Sequence, residues 1–298
     1  MMKAYFAAEG FEKELAHEVL KLKRQHGRLF LSEHPQADPV WAQNIWLQPE
    51  IISISSVAQA VQELRRRGRH WAHYTHGDSR WAYEIEQQVP TAKQKPIHFL
   101  AALPKDQMGA WTLLDSRQLL LSRQTSSPFI NGEVHFSEDK RPPNRAYLKL
   151  WELFTVHGIE PKPGARCLDL GATPGGWTWV LQTMGCQVLA VDKAPLAPTI
   201  AKLKGVEFLK EDAFGLRPEA IGPIDWLFSD IVCYPQRLLE LAQMWRESGM
   251  VQNFVCTIKF QGTTDFAMLK KFQAIPGSKA IHLSHNKHEV TWVLLKKT

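Results

Sequence analysis

The sequence predicts an α/β protein: a doubly wound, mostly parallel sheet of seven strands with one antiparallel edge strand, preceded by a smaller α+β domain. Three observations predict it. From Arg145 onward, short apolar runs alternate with helix-patterned segments, the mark of β–α–β units. The run CLDL (Cys167–Leu170) leads through the glycine turn GATPGG (171–176) into a helix pattern. The last two apolar runs are separated only by HNK, too short for a crossover helix, so they pair antiparallel at one edge.

The elements follow in order. RAYLKLWELFTV (145–156) reads as an amphipathic helix, ARCLDL as a strand, GWTWVLQTM as a helix, and CQVLAV and VEFLK as strands. IDWLFSD is a strand, PQRLLELAQMW a helix, VQNFVCTIKF a strand and DFAMLKKFQAI a helix, with KAIHLS and HEVTWVLLKK completing the sheet. The first 125 residues are less regular. GFEKELAHEVLKLKRQHG (10–27) reads as one helix, while NIWLQPEIISIS, HWAHYTH, IHFLAAL and WTLLDSRQLLLS read as strands. SSPFINGEVHFSEDKRPPN (126–144) is rich in turn formers and reads as a connector. Three segments result: an N-terminal module over 1–125, a linker over 126–144 and a C-terminal domain over 145–298.

Composition narrows the class. With 44% hydrophobic and 22% charged residues among 298, the chain is ordinary for a globular protein. No run approaches the ~18 apolar residues of a membrane span, and the first residues lack signal-peptide organisation, so a cytoplasmic protein with no membrane partner is expected. The four cysteines form no CxxC pair and read as buried thiols. His70, His73 and His76 lack a cysteine or carboxylate to complete a metal set, so no metal is expected. The net charge of +6 permits a nucleic-acid partner without requiring one. Nothing in the sequence fixes an oligomeric state.

The glycine turn carries the first chemical signal. Gly171, Gly175 and Gly176 let backbone N–H groups approach a ligand with no Cβ in the way. The spacing is not GxGxxG, and Pro174 removes a donor that a pyrophosphate cradle would use, which disfavours a dinucleotide oxidoreductase. Asp169, just before the turn, would repel a phosphate. A cationic ligand without phosphate fits better, and S-adenosylmethionine is one. Asp192, ending the second strand, stands where a carboxylate can take both ribose hydroxyls. Asp212, after the third strand, stands where one can accept from the adenine amino group. Alone, each aspartate would read as a helix cap or turn residue.

DLGATPGGWT (169–178) resembles the cofactor loop of the FtsJ/RrmJ-like ribose 2′-O-methyltransferases, in which D-L-G-x-x-P-G-G-[FW]-[ST] is typical. The resemblance implies a Rossmann-like methyltransferase domain and places Asp169, Gly171, Pro174, Gly175, Gly176, Trp177, Asp192, Asp212 and Asp230 at the methyl donor. It also implies a K-D-K-E tetrad: Lys149 in RAYLKLWE, Asp230 in FSDIV, Lys259 in CTIKF and Glu289 in HEVTWV. Within that family GFEKELAHEV, SSPFINGEVHF and HNKHEVTWVLLKK look like segments of the type that methylates a cytidine ribose of large-subunit ribosomal RNA. That type carries an N-terminal RNA-binding region with a THUMP domain, for which residues 1–125 are short. Thr173 stands where that type usually has Cys.

Elementary chemistry supports the tetrad independently. Methyl transfer to a hydroxyl needs an in-line oxygen about 3 Å from the carbon and a base for its proton. A free lysine, near pKa ~10.4, is protonated; a second ammonium and partial burial lower it. Lys259 ends a strongly apolar run, where a lysine is costly unless paired, and is expected as the base or the group steering the oxygen lone pair. Lys149 is expected to depress its pKa, with Asp230 and Glu289 positioning both amines. For RNA, the basic run RRRGRHWAHYTH offers Arg65, Arg66, Arg67 and Arg69, and Arg145 lies beside the lysine helix. The implied partner is ribosomal RNA or its precursor particle. A non-catalytic RNA-binding protein that keeps the cofactor fold, and a methyltransferase of transfer RNA, are the alternatives.

Overall fold

The computed structural model describes residues 2–34, 36–105 and 108–296. The chain divides into two compact units, Met1–Phe136 and Ser137–Thr298. No helix among the described residues is long and apolar enough to cross a membrane.

The first unit contains β1 (Lys3–Ala7), α1 (Glu12–Glu18), β2 (Leu22–His26), β3 (Leu29–Ser32), β4 (Ala42–Leu47) and β5 (Glu50–Ser53), then α2 (Val57–Arg67), β6 (Trp71–His73), α3 (Arg80–Glu86), β7 (Gly109–Asp115), β8 (Gln118–Ser122) and β9 (Gln124–Thr125). They form two sheets, ordered β2-β3-β1-β4-β9 and β5-β8-β7-β6. Alternation along the strands joins the layers. Ala110, Leu114 and Leu120 pack with Phe6, Leu31 and Trp46 of the first sheet, whereas Trp111, Leu113, Leu119 and Leu121 face Ala60, Val61 and Leu64 of α2 and Ile85 of α3. That period-two split is what a sheet covered on both faces requires.

Several N-terminal expectations are corrected. The helix predicted over 10–27 ends at Glu18, and LKRQH turns into the edge strand β2, where Arg24 reaches Gln118 and the Leu114 carbonyl. Lys21 adopts φ 48°, which no helix continues through. The single strand predicted over 44–55 is broken at Gln48 (φ 53°) into β4 and β5, which belong to different sheets. WTLLDSRQLLLS is a β7–β8 hairpin turning at Ser116–Arg117. IHFLAAL is not a strand. It makes one isolated bridge, Ile97 to Phe136, and Leu100 sits at φ 57°. Residues 126–136, read as connector, fold with the first unit: Ser126 Oγ and the Ser127 amide bond to Asn44 Oδ1, and Phe129 is buried.

The second unit contains α4 (Tyr147–His157), β10 (Arg166–Leu170), α5 (Gly176–Thr183), β11 (Gln187–Asp192), α6 (Pro198–Ala201), β12 (Val206–Lys210) and α7 (Pro218–Ile221), then β13 (Ile224–Ser229), α8 (Pro235–Glu247), β14 (Val251–Lys259), α9 (Phe266–Gln273), β15 (Ser278–Ile281) and β16 (Glu289–Leu294). The seven-stranded sheet runs β12-β11-β10-β13-β14-β16-β15. Neighbours from β12 to β14 pair in parallel, and β16 is antiparallel to both β14 and β15. The antiparallel strand is therefore not the edge strand. All six residues of β16 are buried, and it inserts between β14 and the partly exposed β15, which forms the edge instead. All four cysteines are buried free thiols.

Candidate active site

The sheet order reverses between β10 and β13. At that point an open α/β sheet leaves a crevice beyond the carboxyl ends of its strands. Three members of the expected tetrad come from strand ends: Asp230 follows β13, Lys259 ends β14 and Glu289 opens β16. Lys149 comes instead from α4, which is buried all round: each residue from Tyr147 to Phe154 is shielded, Lys149 and Glu152 included. Two charges in such a helix demand partners.

Lys149 finds them in two carboxylates. Its Nζ donates to Asp230 Oδ1 and Oδ2, both at 2.8 Å, and to Glu289 Oε1 at 3.0 Å. Lys259 Nζ donates to the Asp230 carbonyl at 2.7 Å and lies 3.0 Å from Asp230 Oδ1. Lys259 and Glu289 are directly opposed in the β14–β16 register, and Asp230 follows β13 by one residue. Four residues scattered from 149 to 289 thus form one connected cluster of two cations and two anions.

The cluster's electrostatics follow from burial and pairing. Burial by itself would lower the Lys149 ammonium, but Asp230 and Glu289 outweigh it and hold its pKa above the ordinary lysine value. Burial would likewise raise the Asp230 carboxyl, and the Lys149 and Lys259 charges hold it below the carboxylate range instead. The expectation that Lys149 acts directly on Lys259 needs amendment: Asp230 Oδ1 lies between the two amines and is shared by both. An ammonium has three donors. Those of Lys149 are all taken by carboxylate oxygens, whereas Lys259 uses two among the described residues and its side chain is 19% exposed against 8% for Lys149. Lys259 is thus the less saturated and more exposed of the two amines.

Beside the cluster lies a cavity of about 360 Å³, built from the loops after β10, β11, β12 and β13 and from Arg237 of α8. Of the expected cofactor contacts, Gly171, Asp192, Asp212 and Asp230 line it, together with Glu211 and Phe214. Four carboxylates against Lys193 and Arg237 make it acidic, which suits a cationic ligand. The Asp192 carboxylate accepts the Thr173 and Ala194 amides, each at 3.0 Å, and each oxygen keeps a further lone pair for a ribose hydroxyl. Asp212 is bonded by Lys193 at 2.8 Å, and that hydrogen bond holds its carboxyl low.

Five expected cofactor residues do not line this cavity: Asp169, Pro174, Gly175, Gly176 and Trp177. Asp169 is 1% exposed and accepts from Thr178 Oγ1 at 2.6 Å, and burial pushes its carboxyl up to about 7. The glycines are each required by a protein neighbour. A Cβ at Gly176 would collide with Asn144 Oδ1, one at Gly175 (φ 115°) would reach 2.8 Å from Ile200, and one at Gly171 (φ 75°) 2.6 Å from Ile231. Trp177 is buried. Its Nε1 donates to the Ala146 carbonyl at 3.0 Å and its ring lies 5.7 Å from Lys149 Nζ, so the loop's tryptophan locks the lysine helix in place.

A set of residues not expected at the site supports it from behind. Glu152 on α4 accepts from Ser284 N and Oγ, both at 2.8 Å, and from His285 N at 3.1 Å and Nδ1 at 2.6 Å. Asn286 then reaches Glu289 Oε1 at 3.4 Å. The loop before β16 is therefore tied to the helix that carries Lys149. An acid three residues after a lysine inside an otherwise apolar helix was the available signal.

Of the candidate RNA contacts, Arg67 is engaged within the first unit by Glu63 and Glu50, and its side chain is only 15% exposed. Arg65 donates to the Gln88 carbonyl, Arg66 pairs with Glu63, and Arg145 pairs with Glu138 at the surface. Arg69 is exposed. His73 stacks on Trp111 and bonds Glu86, and no group of three or more metal-ligating side chains occurs among the described residues.

Residues 142–283, within the second unit, match the model of the FtsJ-like methyltransferases. Curated relatives carry the more particular name Ribosomal RNA large subunit methyltransferase M. That of Halorhodospira halophila is 34% identical over 189 residues, covering 59% of this chain and 54% of that protein. The Idiomarina loihiensis protein is 29% identical over 226 residues, covering 70% and 58%. The matches thus span somewhat more than half the length of these relatives. A solved structure, Aeropyrum pernix fibrillarin with bound S-adenosyl-L-methionine, overlays at a TM-score of 0.39 with 16% identity, covering 62% of this chain and 81% of that one, too loosely to argue from.

Proposed function

We propose that the protein is an S-adenosylmethionine-dependent RNA methyltransferase that acts on a ribose 2′-hydroxyl of large-subunit ribosomal RNA. One observation carries the reading: the Lys149–Asp230–Lys259–Glu289 cluster stands at the lip of an acidic cavity, joined to it through Asp230. The family match of residues 142–283 and the names of the curated relatives support it. The cavity fits the methyl donor in charge and in the placing of Asp192 and Asp212. Bound there, the donor supplies an electrophilic methyl on a sulfonium.

The chain's own residues supply the rest. Lys259 Nζ, held by Asp230 through both its carboxylate and its carbonyl, turns its remaining direction toward the substrate oxygen. In the reaction it acts as the neutral amine: its two N–H groups stay on Asp230, its lone pair faces the 2′-hydroxyl, and it takes the hydroxyl proton as the oxygen–methyl bond forms and the sulfur–methyl bond breaks. Lys149 stays an ammonium and fixes Asp230 and Glu289, so the cluster carries one net negative charge before transfer and is neutral once Lys259 has taken the proton. The cost of burying four charges is offset only because each is paired. In this reading the first unit positions RNA, as a module of the THUMP kind would, through exposed Arg66 and Arg69.

The test is a map of 2′-O-methylated positions in total RNA with and without the gene. Loss of one large-subunit position, restored by the wild-type gene but not by Lys259→Ala, is the expected result. An unchanged map, or loss confined to transfer RNA, overturns the substrate assignment.

A further inference from the structure

The loop leaving the cluster, Asp230-Ile-Val-Cys-Tyr234, alternates in exposure. Cys233 is buried, whereas Val232 and Tyr234 are 76% and 66% exposed. No other large apolar side chain among the described residues is as exposed as these two, and they follow the shared carboxylate by two and four residues. Chain length alone keeps them within about 7 and 14 Å of Asp230, on the scale of one or two nucleotides. Val232 also lines the acidic cavity.

The loop is tethered rather than slack. Lys259 bonds the Asp230 carbonyl, Ile231 packs on Gly171, Cys233 plugs inward, and Pro235 opens α8 with a preset φ. The tethered span thus presents an aliphatic and an aromatic side chain to solvent.

We propose that Val232 and Tyr234 form a platform on which the base of the target nucleotide stacks. The proposal rests on the methyltransferase reading and names a contact that selects its substrate. A ribose hydroxyl can approach Lys259 in line with the donor only when its nucleotide is held still, and an unpaired base gives the grip. Sequence-specific recognition of RNA works on unstacked bases laid against aromatic rings. Continuity with the cluster argues for this occupant: the loop begins at the residue that holds both amines.

Methyl transfer to protein-free large-subunit ribosomal RNA, and binding of a short single-stranded oligocytidine at fixed salt, test it. Tyr234→Ala should raise the KM for RNA and the oligocytidine Kd by roughly ten- to a hundred-fold, the usual worth of one base–aromatic stack. Affinity for S-adenosylhomocysteine should be unchanged. Tyr234→Phe keeps the ring and should stay within about twofold of wild type. Wild-type KM and Kd in Tyr234→Ala overturn the platform, as does a Tyr234→Phe loss equal to that of Ala or a matching loss of S-adenosylhomocysteine binding. A changed oligomeric mass with unchanged RNA parameters assigns the surface to a protein contact instead. Should wild type transfer no methyl to this RNA, the substrate reading fails while the oligocytidine arm still decides the platform.

Discussion

Glu152→Gln probes the support behind the cluster. Glu152 is fully buried on α4 and accepts four hydrogen bonds from Ser284 and His285. Burial would raise its carboxyl, yet the bonds from His285 and Ser284 hold it below the ordinary glutamate range. Glutamine preserves the volume but turns one oxygen into a donor. In the less costly orientation the amide replaces Oε1 and opposes the Ser284 N–H, while three bonds to the remaining oxygen lose their charge. A bond to a charged group contributes about 1.5–3 kcal/mol and a neutral one about 0.5–1.5, so the substitution costs roughly 3 kcal/mol. For a unit of this size that is a Tm drop of roughly 6–12 °C, measurable by scanning calorimetry. Because the folded pKa is lowered, this stability is present above the unfolded value of about 4.3 and lost as pH falls through the folded one. The Tm gap should therefore narrow in acid. The loop carrying Glu289 loosens, so kcat should fall while S-adenosylhomocysteine affinity holds. An unchanged Tm at pH 7, or a loss of affinity in step with kcat, refutes the bracing role.

Three further outcomes are expected. Lys259→Ala should fold and bind S-adenosylhomocysteine by calorimetry but lose turnover; retained methylation removes Lys259 from proton handling. Asp192→Ala should weaken S-adenosylhomocysteine binding at least tenfold, about 1.4 kcal/mol, since it loses the ribose acceptors and the Thr173 and Ala194 amide anchors together; unchanged binding contradicts its place in the cavity. Asp169, pushed up to about 7 by burial, makes folding less favourable as pH climbs from about 3.9 toward 7 and adds nothing further above it. The Tm of Asp169→Asn relative to wild type should therefore rise between pH 5 and 7 and then level, and a constant difference shows that Asp169 does not titrate there.

The second unit was largely legible because its strands are short apolar runs punctuated by helices. VEFLK became β12 at the predicted residues, and β10, β11 and β13 lie within one residue of expectation at each end. The first unit was not, because its turns are made by residues that do not advertise them. Lys21, Gln48 and Leu100 all take positive φ, and nothing in a lysine, glutamine or leucine announces that.

The sequence by itself determined the alternating order of the second unit, the turn at 171–176 and the residue types of the tetrad, because these depend on local periodicity and on short motifs. Only the tertiary structure decided which amine is saturated and which is less so, since that depends on how many carboxylate oxygens reach each nitrogen. It also showed what Gly175, Gly176 and Trp177 pack against, namely Ile200, Asn144 and α4. And it placed β16 inside the sheet, because an interior strand is one whose two edges both find pairing partners, here β14 and β15, and that is a property of the whole sheet and not of its own six residues.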